Sequence, residues 1–496
     1  MKQLLNYLLF VMLGILVASC QKDNIVLIDP IEIDDSEDLI ANTVFTQTVG
    51  VAFSTNGNAV VTGTDEDFTV TISGNDVTIV YAGEEYVMYE LSGTTNDGFF
   101  KLYSAKKQGI TLNDVSIINP NGAAINVQGP TADPSKGKRT FIVLNGENAL
   151  ADGTTYTDTP ATEDEKAAMF GEGQFIFSGG GSLTVTATGK SGIVSDDYVH
   201  FMSGNIIVEM SSSVTFSGSD TLKPACVRGK DHVKMTNGAL TLTSTGTGGK
   251  GISSDGSGYF YGGSVDVTVT GSNFGSNGGG GGHGGWGNSN SNGVSAKGLK
   301  FDGNLIFKGS HVVVNCTAHE GIEAKGALSV SGGEVYSHSQ LDDAINSGGN
   351  LTISGGLVCA YSQGNDGLDA NSEGGYKLYL TGGTLVAIGG LESGFSLTQS
   401  CYSASSWSQN TWYGLTVGST TYAFKTPSSG GTPLVVSGGA SPTLQSNVNV
   451  AGGTECFEGM FYTDASVSGG NSVSLSSYTG GNGGGGGPGG GGHGPF

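Results

Sequence analysis

Three short lines of sequence, GIEAKG at 321, AINSGG at 344 and GLDANS at 367, recur at a fixed step of 23 residues. Each has a small first residue, an aliphatic second and a small fourth. Looser copies precede them, GIVSDD at 192, CVRGKD at 226, GISSDG at 251 and GVSAKG at 293. A second pattern follows the later lines, two alternating stretches joined by paired glycines: LSVSGGEV at 328, LTISGGLV at 351 and LYLTGGTL at 378. A strict short period interrupted by longer intervals marks a unit that buries its apolar face only by stacking on its neighbours. Twenty-three residues divided into three short strands by turns is one coil of a parallel β-helix, with successive coils ~4.8 Å apart. The expected fold class is therefore all-β, a right-handed parallel β-helix. A β-sandwich does not require near-identical lines, and a propeller blade runs to about 40 residues or more. In the helix, the second positions (Ile193, Val227, Ile252, Val294, Ile322, Ile345, Leu368) stack inside. The small fourth positions, among them Ser195, Ala296, Ala324 and Ala370, stack beside them, and the third and fifth face out.

Composition agrees with a turn-dense β protein: 87 of 496 residues are glycine, 13% are charged and 37% are hydrophobic, too apolar for a disordered chain. The formal charge of -23, from 44 acidic and 21 basic side chains, repels nucleic acid and anionic membrane surfaces. Contact with a membrane is expected only through the leader. Residues 1–20 carry one lysine and an apolar run from Leu4 to Ala18, short of the ~20 residues that a span needs. The stretch Leu16-Val17-Ala18-Ser19-Cys20 resembles a bacterial lipobox, which makes Cys20 the lipidated residue. Gln21-Lys22-Asp23-Asn24 is similar to the short charged tag of surface-exposed lipoproteins. The implied location is the outer membrane, on its surface or periplasmic face.

Residues 21–41 are acidic and read as a tether, residues 42–106 as an N-terminal β cap, 107–395 as the parallel β-helix, 396–478 as a C-terminal β capping region, and 479–496 as a glycine-rich disordered tail. Thr162-Glu163-Asp164-Glu165 has the form of a capping box and predicts one short helix through Met169. A second glycine run, 278 to 285, reads as an inserted loop; His283 and His493 in the two runs read as solvated residues. Beyond Cys20 five cysteines remain, an odd number, with Cys401 and Cys456 as a possible disulfide and Cys226 as packing.

The aligned lines place two rows of acids in register, Glu320, Asp343, Asp366 and Glu323, Asn346, Asp369, with Asp342 beside the first. Like charges one strand apart repel by roughly 3 to 4 kcal/mol at an effective dielectric near 20, so a column of them needs an offset. Calcium, which takes about 6 to 8 oxygens at about 2.3 to 2.6 Å, is the expected one. Exposed ion pairs with Lys297 and Lys325, or plain solvated turn acids, are the alternatives.

The lipobox, the repeated lines, the paired-glycine turns and the terminal region together resemble the bacterial carbohydrate-binding β-helix family, whose members are similar in fold to pectate-type polysaccharide lyases. The resemblance implies calcium between coils and binding, without cleavage, of cellulose-like or polygalacturonate-like polysaccharide by a monomer, and hence no catalytic residue. Lys230, Lys297 and Lys325 share the fifth position and offer a base to a calcium-dependent lyase, the alternative function. With only Arg139 and Arg228 in the chain, an arginine beside such a base is hard to assemble. A structural adhesin-like surface protein is a third class. The sugar-contacting residues are unknown; Tyr336, Tyr361, Tyr376, Tyr379, Trp407, Trp412 and Tyr413 read mainly as packing.

Overall fold

The computed structural model describes residues 35–157, 159–160, 163–217, 220–275, 293–392 and 396–479. The leader with Cys20, the tether up to residue 34, both glycine runs, His283 and His493 lie outside the described residues. Within them the chain is all-β, with three single-turn 3-10 segments and no α-helix.

Most strands fall into two sheets, one of 24 strands and one of 12. The register of the smaller sheet is parallel and follows the repeat. Ile322 pairs with Ile345 and Ile345 with Leu368. Side chains at these positions are fully buried, as are Ile193, Val227 and Ile252 below them. Each such side chain contributes about 1.5–3 kcal/mol when taken out of water, and rings stack in the same way: Phe177 on Phe201 with centroids 5.1 Å apart, Phe260 on Phe307 at 5.3 Å. Parallel pairing begins inside residues 42–106, where Gln47–Phe53 pairs with Val87–Thr95 and Asn75–Tyr81 with Gly98–Ser104. It gives way at the other end, where Leu378–Ile388 is covered by Leu434–Ser437 in antiparallel pairing. A six-stranded sheet that includes Trp412–Val417, Thr420–Lys425 and Pro442–Ala451 is antiparallel throughout.

Three expectations need correction. The line GVSAKG at 293 is out of register. Leu299, not Val294, pairs with both Ile252 and Ile322, so the true line is GLKFDG at 298, one more 23-residue step below 321. Val294 instead forms an isolated antiparallel bridge with Phe274. A large residue at the fourth position, Phe301, fits because Gly258 opposite it has no side chain; a Cβ there would stand 2.7 Å from the Phe301 ring. The predicted short helix is absent: Glu163 to Lys166 are irregular and Ala167–Gly171 is a buried strand, paired in parallel with Ile125–Gln128 and Ser191–Ser195. The acids of the apparent capping box serve Lys101 instead, whose Nζ lies 3.1 Å from Glu163 and 2.9 Å from Glu165, all buried. Cys401 and Cys456 are free thiols, like Cys226, Cys316 and Cys359. Cys456 donates to Glu334 Oε1 at 3.3 Å.

Candidate metal centre

The residue just before each line sits at a turn, and its neighbours lock it to the coil above. Gly298 N–H donates to the Glu320 carbonyl, Gly321 N–H to Asp343 and Ala344 N–H to Asp366. A first column therefore runs Lys250, Lys297, Glu320, Asp343, Asp366. The third positions form a second, Ser253, Lys300, Glu323, Asn346, Asp369. Glu392 extends it, since Leu391 bridges to Leu368 and Glu392 N–H donates to the Leu368 carbonyl. The line GLES at 390 carries this residue one further step of 23, and sequence reasoning overlooked it.

The columns change sign along their length, and the seven predicted ligands divide accordingly. Lys297 Nζ lies 3.0 Å from Glu320 and 2.7 Å from Glu323 with its side chain only 12% exposed. Burial pushes the Glu320 carboxyl up, but Lys297 and His319 outweigh it and hold it down at about 2. Lys297 is itself raised, burial being outweighed by the two glutamates. Asp342 Oδ2 lies 3.1 Å from His319 Nδ1 and its Oδ1 accepts from the Asp343 N–H at 3.1 Å, beside the columns rather than in them. Burial, then Glu320, raises its carboxyl. These members already have cationic or hydrogen-bonding partners. The ion pairing expected of Lys297 is thus realised, although buried rather than exposed, whereas Lys325 turns to Asp302 at 2.8 Å.

The upper members differ. Asp343 is 2% exposed; its Oδ1 accepts from the Asp366 N–H at 2.9 Å and its Oδ2 from Asn346 Nδ2 at 3.1 Å. The same amide donates to Asp369 Oδ2 at 3.1 Å. Oδ1 of Asp366 and Oδ1 of Asp369 are buried without a hydrogen-bond partner. Among the described residues no Lys, Arg or His pairs with Asp343, Asp366 or Asp369. Burial first, then Asp342, lifts the Asp343 carboxyl well above its usual range. Burial and Glu392 bring Asp366 to about 7. Burial, a shared hydrogen bond with Glu392 and the Asp343 charge bring Asp369 to about 10. Carboxylates so placed are short of positive charge, and an all-oxygen donor set with orphaned buried atoms fits a hard cation.

Other sequence candidates are dispersed. Lys230 and Lys325 keep outward positions, but Lys297 belongs to the first column, so the three lysines do not stack as a base would require. Arg139 is held by Glu37 and Asp38, and Arg228 by Asp255 at 2.6 Å. Lys250 is a buried amine brought to about 7 by burial and by Lys300 and Lys297; it donates to the Gly248 carbonyl within its own turn. A polar cavity of about 530 Å3 is lined by acids, Glu163, Asp164, Glu172 and Asp196, with Lys230. Tyr336, Tyr361, Tyr379 and Tyr413 are packed in the interior, while Tyr376 is 44% exposed.

Fold and site thus define an all-β, turn-rich protein with long parallel strand ladders, with one acid column neutralised by a lysine and a continuation that is not. The chain belongs to the family of carbohydrate-binding domain-containing proteins, whose sequence model it matches over residues 73–367. No curated protein matches it in sequence. A solved structure, that of a polysaccharide lyase-like protein from C. thermocellum in a gadolinium derivative, is similar at 17% identity over 63% of this chain and 93% of that one. Its TM-score of 0.34 is too low to bear on the argument.

Proposed function

We propose that the chain is a non-catalytic polysaccharide-binding lipoprotein of the cell envelope, anchored through Cys20, on the surface or periplasmic face of the outer membrane. Its parallel ladders are read as a right-handed β-helix with a β cap at each end, and calcium is held between the upper coils. Family membership supports the carbohydrate, and one observation carries the metal: Asp343, Asp366 and Asp369 are buried in register with two orphaned oxygens and no cationic partner. Asp343, Asn346, Asp366 and Asp369, with Glu392 at the edge, would hold the ion. Glu320 and Glu323 are not needed for it, since Lys297 already balances them. The ion's contribution is charge neutralisation that lets acids stack at ~4.8 Å spacing. A lyase finds less support, because Lys297 is buried and paired with Glu320 and Glu323 and both arginines are engaged by acids.

The test is a polysaccharide array probed with the full chain in calcium and in chelator, with ultraviolet absorbance followed for unsaturated uronides. Retention of a polysaccharide without absorbance growth is expected. Growth would make the protein a lyase, and retention of no glycan would leave an adhesin-like role.

A further inference from the structure

The end of the acidic tether does not hang free. Residues 35 to 42 form two single-turn 3-10 segments, Ser36–Asp38 and Ile40–Asn42, laid on the outside of the body. Its acids meet cations and donors from several strands. Glu37 lies 2.6 Å from Lys107 Nζ and 2.8 Å from Arg139 Nη1. Asp38 lies 3.0 Å from Arg139 Nε, accepts from the Tyr198 hydroxyl at 2.6 Å, and is 2.7 Å from His200 Nδ1. Asp35 pairs with Lys234, whose side chain is 2% exposed beneath it.

The partners follow from the ladder register. Gln108 pairs with Thr140, Thr140 with Phe175 and Phe175 with Val199, so the preceding residues Lys107, Arg139 and Tyr198 line up along one outer edge. His200 pairs with Lys234, and Lys234 with Tyr259. Beside these cations runs a row of half-buried rings. Tyr198 stacks on His232 at 4.3 Å with planes 14° apart, His232 meets Tyr259 edge-on at 5.7 Å, and Tyr259 meets Tyr261 at 6.1 Å. Lys234 and Lys308 lie 5.3 and 5.7 Å from the Tyr261 ring. Such a strip is unexpected on a chain of net charge -23. Its guanidinium, ammonium and hydroxyl donors are set for carboxylates, and its rings offer apolar faces in line with them.

We propose that this strip is a binding site for an acidic polysaccharide, a chain with repeated carboxylates, and that the Asp35–Asp38 strap occupies it as an internal stand-in for the sugar's carboxylates. The proposal rests on the polysaccharide-binding reading above and adds the site and its occupation by the strap. One feature makes the strap displaceable at its exposed acid. Glu37 is 61% exposed, so its pairs with Lys107 and Arg139 are individually weak, whereas Asp35 holds the buried Lys234.

The experiment uses the full chain at fixed calcium with two probes of equal length, an oligogalacturonate and a neutral cello-oligosaccharide. The double substitution Asp35→Asn with Glu37→Gln spares the buried Asp38, and its thermal unfolding is checked against the wild type. Weakening an internal competitor raises apparent affinity by the fraction of site released, and we expect oligogalacturonate to bind about tenfold more tightly with the neutral probe unchanged. Adding Arg139→Gln and Lys107→Gln should remove the gain. In the wild type, saturating oligogalacturonate should speed hydrogen exchange across residues 35–42. If the double variant gains nothing and the strap's exchange is unmoved while the wild type still retains glycans on the array, this site is refuted and the polysaccharide-binding reading stands. If no form retains any glycan, the function itself is refuted and this proposal with it.

Discussion

Replacing Lys297 with methionine separates the two halves of the acid column. The side chain lies 3.0 Å from Glu320 and 2.7 Å from Glu323, and both glutamates are largely shielded from water. Holding the Glu320 carboxyl at about 2 against a usual 4.5 corresponds to about 3 kcal/mol at about 1.4 kcal/mol per pH unit. A depressed carboxyl gives this stability in full above pH 4.5 and loses it as pH falls toward 2. Removing the cation also strands two buried carboxylates, and breaking a buried pair costs about 3–5 kcal/mol. Urea unfolding of the variant in chelator at pH 7 should show a loss of that order. The pH dependence should also change: the wild type loses the Glu320 contribution as pH falls from 4.5 toward 2, and the variant should not. Added calcium should restore part of the loss, because Glu320 and Glu323 then become oxygen donors next to Asp343 and Asn346. A variant as stable as the wild type in chelator, with the same pH profile, would refute the assignment of Lys297 as the column's built-in cation.

Asp366, raised from 3.8 to about 7, keeps its proton in the fold at pH values where the unfolded chain has lost it. In chelator, this carboxyl's contribution should therefore fall by about 4 kcal/mol as pH rises from 4 to 7, and Asp369, raised to about 10, should carry the loss to higher pH. Calcium added near pH 6.5 should release protons, measurable by calorimetry in buffers of different ionisation enthalpy; a flat profile with no proton release would count against the site. Phe301→Ala should cost about 3–5 kcal/mol in urea unfolding, as a large core ring should; a loss below about 1 kcal/mol would restore the register through Val294. The five thiols downstream of Cys20 are buried, with burial pushing Cys401 up to about 11 and Cys456 up to about 12. They should react with a thiol reagent only after denaturation, with no disulfide-linked peptide in a digest.

What could be read from the sequence was whatever repeats at short range. The 23-residue step, the aliphatic second position and the two acid rows all follow from side chains whose partners are equivalent residues of the next coil. The step was lost where a coil departs from the pattern. Phe301 fills a position that is otherwise small because Gly258 makes room for it, a compensation between residues 43 apart. Glu392 was overlooked because the residue before its line is Gly389, not an acid. The capping box misled because Glu163 and Glu165 face a lysine more than 60 residues earlier, at Lys101, and long-range pairing overrides local propensity. The strap has no local signature either, since Glu37 and Arg139 are 102 residues apart and Asp35 and Lys234 are 199 apart.

On the proposed calcium reading, the change of sign along the columns also says where the metal would matter. Below Glu320 the cation is a side chain, Lys297, fixed by its own strand and present whether or not calcium is. Above it the same geometric problem recurs at Asp343, Asp366 and Asp369 with no such side chain, so on the proposed calcium reading only these strands would depend on an ion. They carry the junction at which parallel pairing ends and Leu378–Ile388 receives its antiparallel cover. Chelation should therefore loosen the protein locally before it unfolds globally. Hydrogen exchange should rise in Ile345–Ser347, Leu368–Ala370 and the segment through Glu392, while Lys297–Phe301 and Ile322–Ala324 keep their protection. Equal acceleration in both sets would mean that the ion stabilises the whole body and that Lys297 does not separate two independently neutralised halves.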